Sequence, residues 1–130
     1  MKTRTLSLLV TLLLAPCSLL PAANWPMWRG ANGDGTCEES NLPEKWSATE
    51  NVVWKVKLPE RGNSTPVVWG DKVFVTQPIE KEGKRLLLCF DRKRGEKRWE
   101  SGTTYKEPEL THGTNPYSSA SPATDGERVI

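Results

Sequence analysis

Residues 64–75 read STPVVWGDKVFV, and residues 121–130 read SPATDGERVI. The two stretches align at an offset of 56 residues, which matches Pro66 with Pro122, Gly70 with Gly126 and Val73 with Val129. An internal repeat of this length is typical of architectures in which one supersecondary unit recurs and packs against its neighbours. The second copy stops at Ile130, so we expect the chain to be the opening part of a longer repeat protein.

Short strand patterns separated by turn signals fill the interval between the two copies. We predict strands over residues 65–69, 72–77, 84–91 and 97–101, with turns at 70–71, 78–83 and 92–96. Strands this short, with turns this frequent, indicate an all-β fold. Four antiparallel strands in about 38 residues have the size of a β-propeller blade. Helix should be nearly absent, because no segment joins a helix cap to a 3.6-residue apolar period.

Two irregular stretches flank this unit. Residues 24–50 are rich in Gly, Asn, Pro and Trp without a clear period, and we interpret them as an irregular lead-in. Within it, Asn32–Gly35 is turn chemistry, since it lacks the further acidic ligands that a calcium loop needs at alternating positions. Residues 102–117 are polar and contain proline, so we interpret them as an inserted loop before a second unit at 118–130.

Residues 51–58 alternate between the two faces of a strand, with Val52, Trp54 and Val56 on one of them. A ring of repeated sheets avoids open edges by letting a strand from one end of the chain complete a sheet begun by the other. We therefore expect residues 51–58 to close the last unit. Trp54 and Trp99 end strands 45 residues apart, and we expect both to be buried between units.

The first 23 residues have the layout of a secretory signal peptide. Lys2 and Arg4 precede an apolar core, Leu6–Leu14, and the alanines at the end of the segment suit cleavage. The apolar run is shorter than the roughly 20 residues of a membrane span, so we expect no transmembrane span after cleavage. An uncleaved anchor and a lipid on Cys17 are the alternatives. The expected location is the periplasm or the extracellular space.

Charge gives no case for nucleic-acid binding. The chain has 18 Lys and Arg against 16 Asp and Glu, and cleavage of the signal removes Lys2 and Arg4. A mature chain without net charge lacks the basic surface that attracts phosphate backbones. The basic residues at 92–98 are interleaved with acidic ones, so we interpret them as a solvated turn.

Cys37 and Cys89 are the two cysteines left after signal cleavage. An exported chain can oxidise such a pair to a disulfide, whereas the apolar run around Cys89 also fits a buried thiol. Both readings stay open at this point. The spacing of the cysteines does not match a metal site.

Residues 88–99 read LCFDRKRGEKRW. The Asp91 carboxylate is expected to accept hydrogen bonds from backbone amides two and three residues further on, which closes a turn. Gly95 supplies a positive φ at the turn exit, and Trp99 packs from the next strand. This spacing of Asp, Gly and Trp resembles the repeat of the pyrroloquinoline-quinone-type β-propellers. Arg94 stands where that family usually has threonine.

The resemblance covers residues 24–130. Its N-terminal part rests on WPMWRG at 25–30, NGDG at 32–35, Leu42–Pro43, Trp46 and NVVWK at 51–55. It implies an exported bacterial β-propeller of four-stranded antiparallel blades, seven or eight in the full protein. On this view residues 64–101 form blade one, and residues 118–130 are part of blade two.

The resemblance also implies candidate site residues. Loops that lead into the innermost strand of a propeller blade lie near the central channel. His112, the only histidine, and Asn115 would lie at one such entrance, and Arg61 with Asn63 would lie at the corresponding loop before blade one. These four are candidate channel-lining residues for a ligand. A solvated loop histidine is the alternative.

Two functions follow. The first is an exported, non-enzymatic scaffold or binding module for a protein or small-molecule ligand, with no catalytic, cofactor or metal residue in this chain. The alternative is a quinone-dependent dehydrogenase of an alcohol or sugar, with pyrroloquinoline quinone and Ca²⁺ held by blades beyond Ile130. Such enzymes need a carboxylate base and a sulfur or aromatic platform. This chain has no adjacent cysteine pair, and its acidic residues are scattered, so we favour the binding module.

Overall fold

A computed structural model describes residues 23–40, 42–107 and 109–130. The predicted signal peptide, including Cys17, lies outside the described residues except for Ala23.

Four antiparallel strands form one sheet in the order β1-β2-β3-β4. They are β1 (Val67–Trp69), β2 (Lys72–Ile79), β3 (Lys84–Asp91) and β4 (Lys97–Thr104). A single turn of 3-10 helix, Glu80–Glu82, is the one helical element in the part of the chain that the structure describes. The prediction of an all-β unit with four antiparallel strands and almost no helix is therefore confirmed.

Two strands run further than their patterns predict. β2 continues through Pro78, which lies opposite Arg85 in the register with β3. The three residues of β1 reach only as far as Phe74, so the side of Pro78 that faces away from β3 has no strand neighbour. The missing amide of proline costs no ladder hydrogen bond there. β4 likewise continues through Gly102–Thr104, which pair with the start of β3.

The turn between β3 and β4 has the predicted chemistry. Asp91 Oδ1 accepts the amides of Lys93 at 2.9 Å and Arg94 at 2.8 Å. The Gly95 amide donates to the Asp91 carbonyl at 2.8 Å, and Gly95 has a φ of +70°. The Asp and Gly of this motif therefore close a hairpin, as the sequence predicts.

Both faces of the sheet are apolar. One carries a buried cluster of Val67, Phe74 and Cys89, with Trp69, Leu87 and Val129 packed against it. The other carries a buried cluster of Val75, Leu88 and Phe90, with Leu58, Val73 and Leu86 packed against it. Leu58 precedes the sheet and Val129 follows it, so the sheet is a middle layer between its two flanking segments.

The preceding segment packs through a tryptophan. The Trp54 indole nitrogen donates to the Arg92 carbonyl at 2.8 Å, and its ring lies on Gly95, where a Cβ would come within 2.6 Å of Trp54 Cδ2. Residues 51–58 form no ladder with β1–β4 among the described residues. A ladder partner defines a strand, so their assignment as a closing strand stays a prediction.

The second repeat copy also packs through a tryptophan and a glycine. Thr124 and Val129 form an isolated bridge, and Asp125 Oδ1 accepts the amides of Glu127 and Arg128. Gly126, with a φ of +95°, lies beneath the ring of Trp69, where a Cβ would come within 2.5 Å of the indole. The two copies share a glycine turn, and that of the second copy touches the first.

The lead-in covers the edge of the sheet that β1 forms. Trp25 and Val68 exchange two backbone hydrogen bonds of 2.8 Å, which caps β1. The carbonyl of Pro26 accepts the Thr124 amide at 2.9 Å, so this segment also joins the second copy to the first. Asn32–Gly35 is a turn in which Asp34 binds the amide and hydroxyl of Thr36.

The prediction that Trp99 is buried is wrong for this chain, because its side chain is 39% exposed. It lies on β4, the outer strand, all of whose residues are exposed. Its ring contacts that of Phe74 at a tilt of 46°, with ring centroids 5.8 Å apart. Trp54 is partly buried. The cysteines are both free: Cys37 is exposed and Cys89 is buried, and burial raises the pKa of the Cys89 thiol.

Candidate functional site

The four predicted site residues lie in segments at one end of the sheet, which we call the loop end. Here β1 begins, β2 ends and β4 ends. Residues 61–63 precede β1, and residues 109–117, which we call the site loop, follow β4. A Cβ built on Gly62 would lie 3.5 Å from the Ser118 carbonyl oxygen, so the two segments run side by side.

The tip of the site loop is a tight turn from His112 to Asn115. The Asn115 amide donates to the His112 carbonyl at 2.8 Å. The Thr114 amide donates to His112 Nδ1 at 3.3 Å, and the Thr114 hydroxyl lies 2.9 Å from the same nitrogen. Because Nδ1 accepts a backbone amide, the neutral ring carries its proton on Nε2. The ring therefore offers an exposed N–H donor.

The structure brings three of the four predicted residues into one connected group. Asn63 Nδ2 donates to the Thr114 carbonyl at 3.1 Å, which attaches the segment before β1 to the tip that contains His112 and Asn115. Asn63 is one of the predicted residues, whereas Thr114 was not predicted and lies between the predicted His112 and Asn115. Arg61 is exposed two residues before Asn63, and it belongs to the same end of the sheet without joining this hydrogen-bonded group.

A second group of residues, which the sequence analysis misses, holds the base of the site loop. We call it the neck: Arg85, Glu109 and Tyr117. Arg85 Nη2 donates to Glu109 Oε2 at 3.0 Å, the Arg85 guanidinium carbon lies 3.6 Å from the centre of the Tyr117 ring, and the Tyr117 hydroxyl donates to the Glu109 carbonyl. No short motif links these residues, because Arg85 comes from β3 and the others from the loop.

The chain after the site loop is fixed on β2. The Thr76 hydroxyl donates toward the carbonyls of Ala120 at 2.7 Å and Ser118 at 3.1 Å. Ser118 has a φ of +57°, a left-handed conformation that is uncommon outside glycine. The Thr65 amide donates to Ser121 Oγ at 2.8 Å. These bonds hold the second copy beside the first at the loop end.

An open groove of about 560 Å³ lies between the sheet and this segment. Its floor includes Leu87, on the face of the sheet that carries Phe74 and Cys89, and its rim includes Tyr105 and Tyr117. Thr76 contributes a hydroxyl. The groove therefore combines an apolar floor with aromatic and polar groups at its rim, the lining that ligand sites commonly have.

The opposite end of the sheet, which carries the two hairpin turns, is held by charge. Arg98 Nη2 lies 2.6 Å from Asp71 Oδ2 and 2.6 Å from Asp91 Oδ2. Its hydrogen bonds to Asp91 and Asp71 raise the pKa of Arg98. Hydrogen bonds from Arg98 and then Lys72 lower the pKa of Asp71 to about 2. Asp91 also has a lowered pKa, because it accepts from Arg98 and from the amides of Arg94 and Lys93.

Two further basic residues of this end are paired with acidic neighbours. Arg94 lies 3.1 Å from Glu96, and Lys97 lies 2.5 Å from Glu100. This matches the interpretation of residues 92–98 as a solvated turn.

The metal-ligating side chains of the described residues are dispersed over the structure. No group of three or more His, Cys, Asp or Glu side chains that could hold a metal occurs among residues 23–40, 42–107 and 109–130. Cys37 is exposed on the lead-in, whereas Cys89 belongs to β3 and its side chain is buried on one face of the sheet.

Within the same ranges, no helix has the length and apolar character required to cross a membrane. Comparisons of the chain with protein-family models, curated proteins and solved structures find no match.

Proposed function

We propose that the chain forms the opening of an exported β-propeller of the pyrroloquinoline-quinone-type repeat, and that the propeller acts as a scaffold or binding module. On this proposal the sheet is one blade, and its loop end takes a protein or small-molecule ligand. The observation that carries the proposal is the packing of both sheet faces by flanking chain segments. In a repeat protein each unit buries its faces against its neighbours in this way.

The contact between Trp54 and Gly95 supports the repeat. Trp54 and Trp99 stand at equivalent positions 45 residues apart. Trp54, from before the sheet, packs on the glycine turn of the sheet. By the same rule, Trp99 packs on the glycine turn of the next unit. This explains why a large aromatic residue of the sheet stays 39% exposed here.

The proposal assigns residues 51–58 to the last of seven or eight blades, which closes the ring. Exposed apolar side chains in this stretch, with Val53 84% exposed, are then covered by strands of that blade. Ring closure removes the open edges that isolated sheets present.

Binding, rather than chemistry, suits the loop end. Arg61, Asn63, His112 and Asn115 are exposed side chains with hydrogen-bonding groups. The groove with the apolar floor meets the same loop at its base, through Glu109 and Tyr117, although none of the four residues lines it. Such a combination orients a ligand through a few polar contacts while apolar surface supplies affinity.

Two measurements on the full-length protein test this proposal. Electron microscopy should show a ring of seven or eight four-stranded blades, with Trp99 covered by the second blade. Addition of pyrroloquinoline quinone and Ca²⁺ should produce neither cofactor absorbance in the purified protein nor dye reduction with alcohols or sugars. An open, unclosed sheet would contradict the propeller, and quinone-dependent dye reduction would establish the dehydrogenase instead.

A further inference from the structure

We propose that Arg85 is a positioning residue, which fixes the site loop and thereby sets where His112, Thr114 and Asn115 stand. This inference rests on the proposed function, in which the loop end takes a ligand. Arg85 lies on β3 and is not one of the predicted site residues.

The neck ties both ends of the site loop to one side chain. Glu109 begins the loop and binds the Arg85 guanidinium through its carboxylate at 3.0 Å. Tyr117 ends the loop and stacks on the same guanidinium at 3.6 Å. The Tyr117 hydroxyl then donates to the Glu109 carbonyl, so the two ends also bind each other. Residues 109–117 form a closed loop whose ends meet at one point, the arrangement of an Ω-loop.

Arg85 is placed to resist displacement. It belongs to β3, which has a strand on each side, β2 and β4. Its side chain is only 17% exposed, and Nη1 donates to the Lys84 carbonyl at 3.1 Å. The ring of Tyr105 lies 5.9 Å from the guanidinium carbon. A partly desolvated cation between aromatic rings is held more strongly than an exposed one.

The chemistry requires arginine. A planar guanidinium presents one face to Tyr117 while its edge donates to Glu109 and to the Lys84 carbonyl. A lysine ammonium is a point charge without a flat face, and it cannot make these contacts together. Charge alone is therefore insufficient for the neck.

The tip of the site loop depends on the neck for its second attachment. Among the residues that the structure describes, its other attachment is the hydrogen bond from Asn63 to Thr114, which joins two exposed residues. Closing the loop at its base reduces the conformations that the tip can reach. Loss of the neck should therefore loosen His112–Asn115 and leave β2, β3 and β4 in place.

Hydrogen–deuterium exchange of the full-length protein, read by mass spectrometry, tests this inference. For Arg85→Lys, we expect deuterium uptake over residues 110–116 to become roughly tenfold faster or more, with uptake over Leu87–Phe90 unchanged. Glu109→Gln keeps the ring contact and should give a smaller increase. Lys84→Gln is the matched control, since Lys84 pairs with Glu82 outside the loop, and it should leave the loop unchanged.

Two results would overturn the inference. One is unchanged loop uptake in both Arg85→Lys and Glu109→Gln. The other is an equal rise over the loop and over Leu87–Phe90, which would make Arg85 a residue of the sheet core. Either result would leave the blade count of the propeller proposal unaffected.

Discussion

At the scale of single residues, glycines support the packing of the sheet in two separate ways. Gly95 has a positive φ of +70°, and it also leaves room for the Trp54 ring. Gly70 has a positive φ of +57° in the β1–β2 turn, but nothing lies within 4 Å of its Cβ position. A side chain at Gly70 would therefore meet backbone strain alone, whereas one at Gly95 would meet the same strain and a clash with Trp54.

Gly95→Val should destabilise the fold by about 2 kcal/mol or more, because left-handed strain and a clash with Trp54 add. Gly70→Val should cost about 1 kcal/mol, from strain alone. Urea unfolding of the full-length protein, followed by tryptophan fluorescence, measures both changes. Equal costs would show that Trp54 does not pack on Gly95, and a negligible cost at Gly95 would contradict the hairpin itself.

The charged group at the turn end predicts a dependence of stability on pH. The folded pKa of Asp71 is about 2, against an ordinary 3.8, so its carboxylate favours the folded state when ionised. That contribution is complete above about pH 4 and is lost as pH falls through about 2. The lowered pKa of Asp91 acts in the same direction.

Arg98→Met isolates this contribution from the other carboxylates. We expect the melting temperature of the unmodified protein to fall between pH 4 and pH 2, and the difference from the Arg98→Met variant to shrink over the same interval. A difference that stays constant across this range would show that the two aspartates do not depend on Arg98.

At the scale of elements, the strands were largely predictable and their contacts with the loops were not. Alternation and turn residues predict β1–β4 because those signals are local in the sequence. The extension of β2 through Pro78 cannot be predicted from such local signals, because proline is tolerated there only since β1 begins at Val67 and does not reach Pro78. The neck cannot be predicted from them either, since Arg85 and Tyr117 are 32 residues apart and meet only after the sheet has formed.

Candidate-site prediction had the same limit. The repeat and the family resemblance place Asn63 and His112 at equivalent loops, and the bond from Asn63 to Thr114 shows these loops in contact. The burial of Trp99 was predicted wrongly for this chain because the expectation depended on a neighbouring unit. An edge strand leaves its face open until another element covers it.

The two repeat-equivalent tryptophans should therefore differ in cost. Trp54→Ala should destabilise by about 3 kcal/mol, since it removes a packed ring and leaves the Arg92 carbonyl without its indole donor. In the 130-residue chain, Trp99→Ala should cost about 1 kcal/mol, because much of the ring already faces solvent. Denaturant midpoints would measure both. If the loss at Trp99 matches that at Trp54, the ring contributes to the sheet without a second unit.

At the scale of the whole molecule, the described chain is a sheet with one capped edge and one exposed edge. Trp25 pairs with β1, whereas every residue of β4 is exposed. The segment before the sheet also carries exposed apolar side chains, which include Trp46 and Val53. The internal repeat and these surfaces together favour assembly with further units.

We therefore predict that residues 24–130, expressed alone, are marginally stable and associate. Light scattering coupled to size-exclusion chromatography should show oligomers or aggregates, and circular dichroism should show a broad thermal transition. The full-length protein is the control and should unfold cooperatively. A monomeric, cooperatively unfolding 24–130 chain would favour a stand-alone β domain over the propeller.

Because β1 is much shorter than the other three strands, part of β2 has no neighbouring strand on that side. β1 spans about 10 Å and β2–β4 about 26 Å each, at roughly 3.3 Å per residue. The edge of the sheet therefore has a notch beside Val75–Ile79, where β2 has no β1 residue opposite it. Residues 60–64 occupy that notch: the Glu60 carbonyl accepts from Gln77, and Ser64 Oγ accepts the Thr76 amide. Asn63 therefore lies beside the part of β2 that β1 does not reach. Extending β1 past Val67 toward its N-terminus would displace this segment, so the residue at which β1 begins also determines where Asn63 lies.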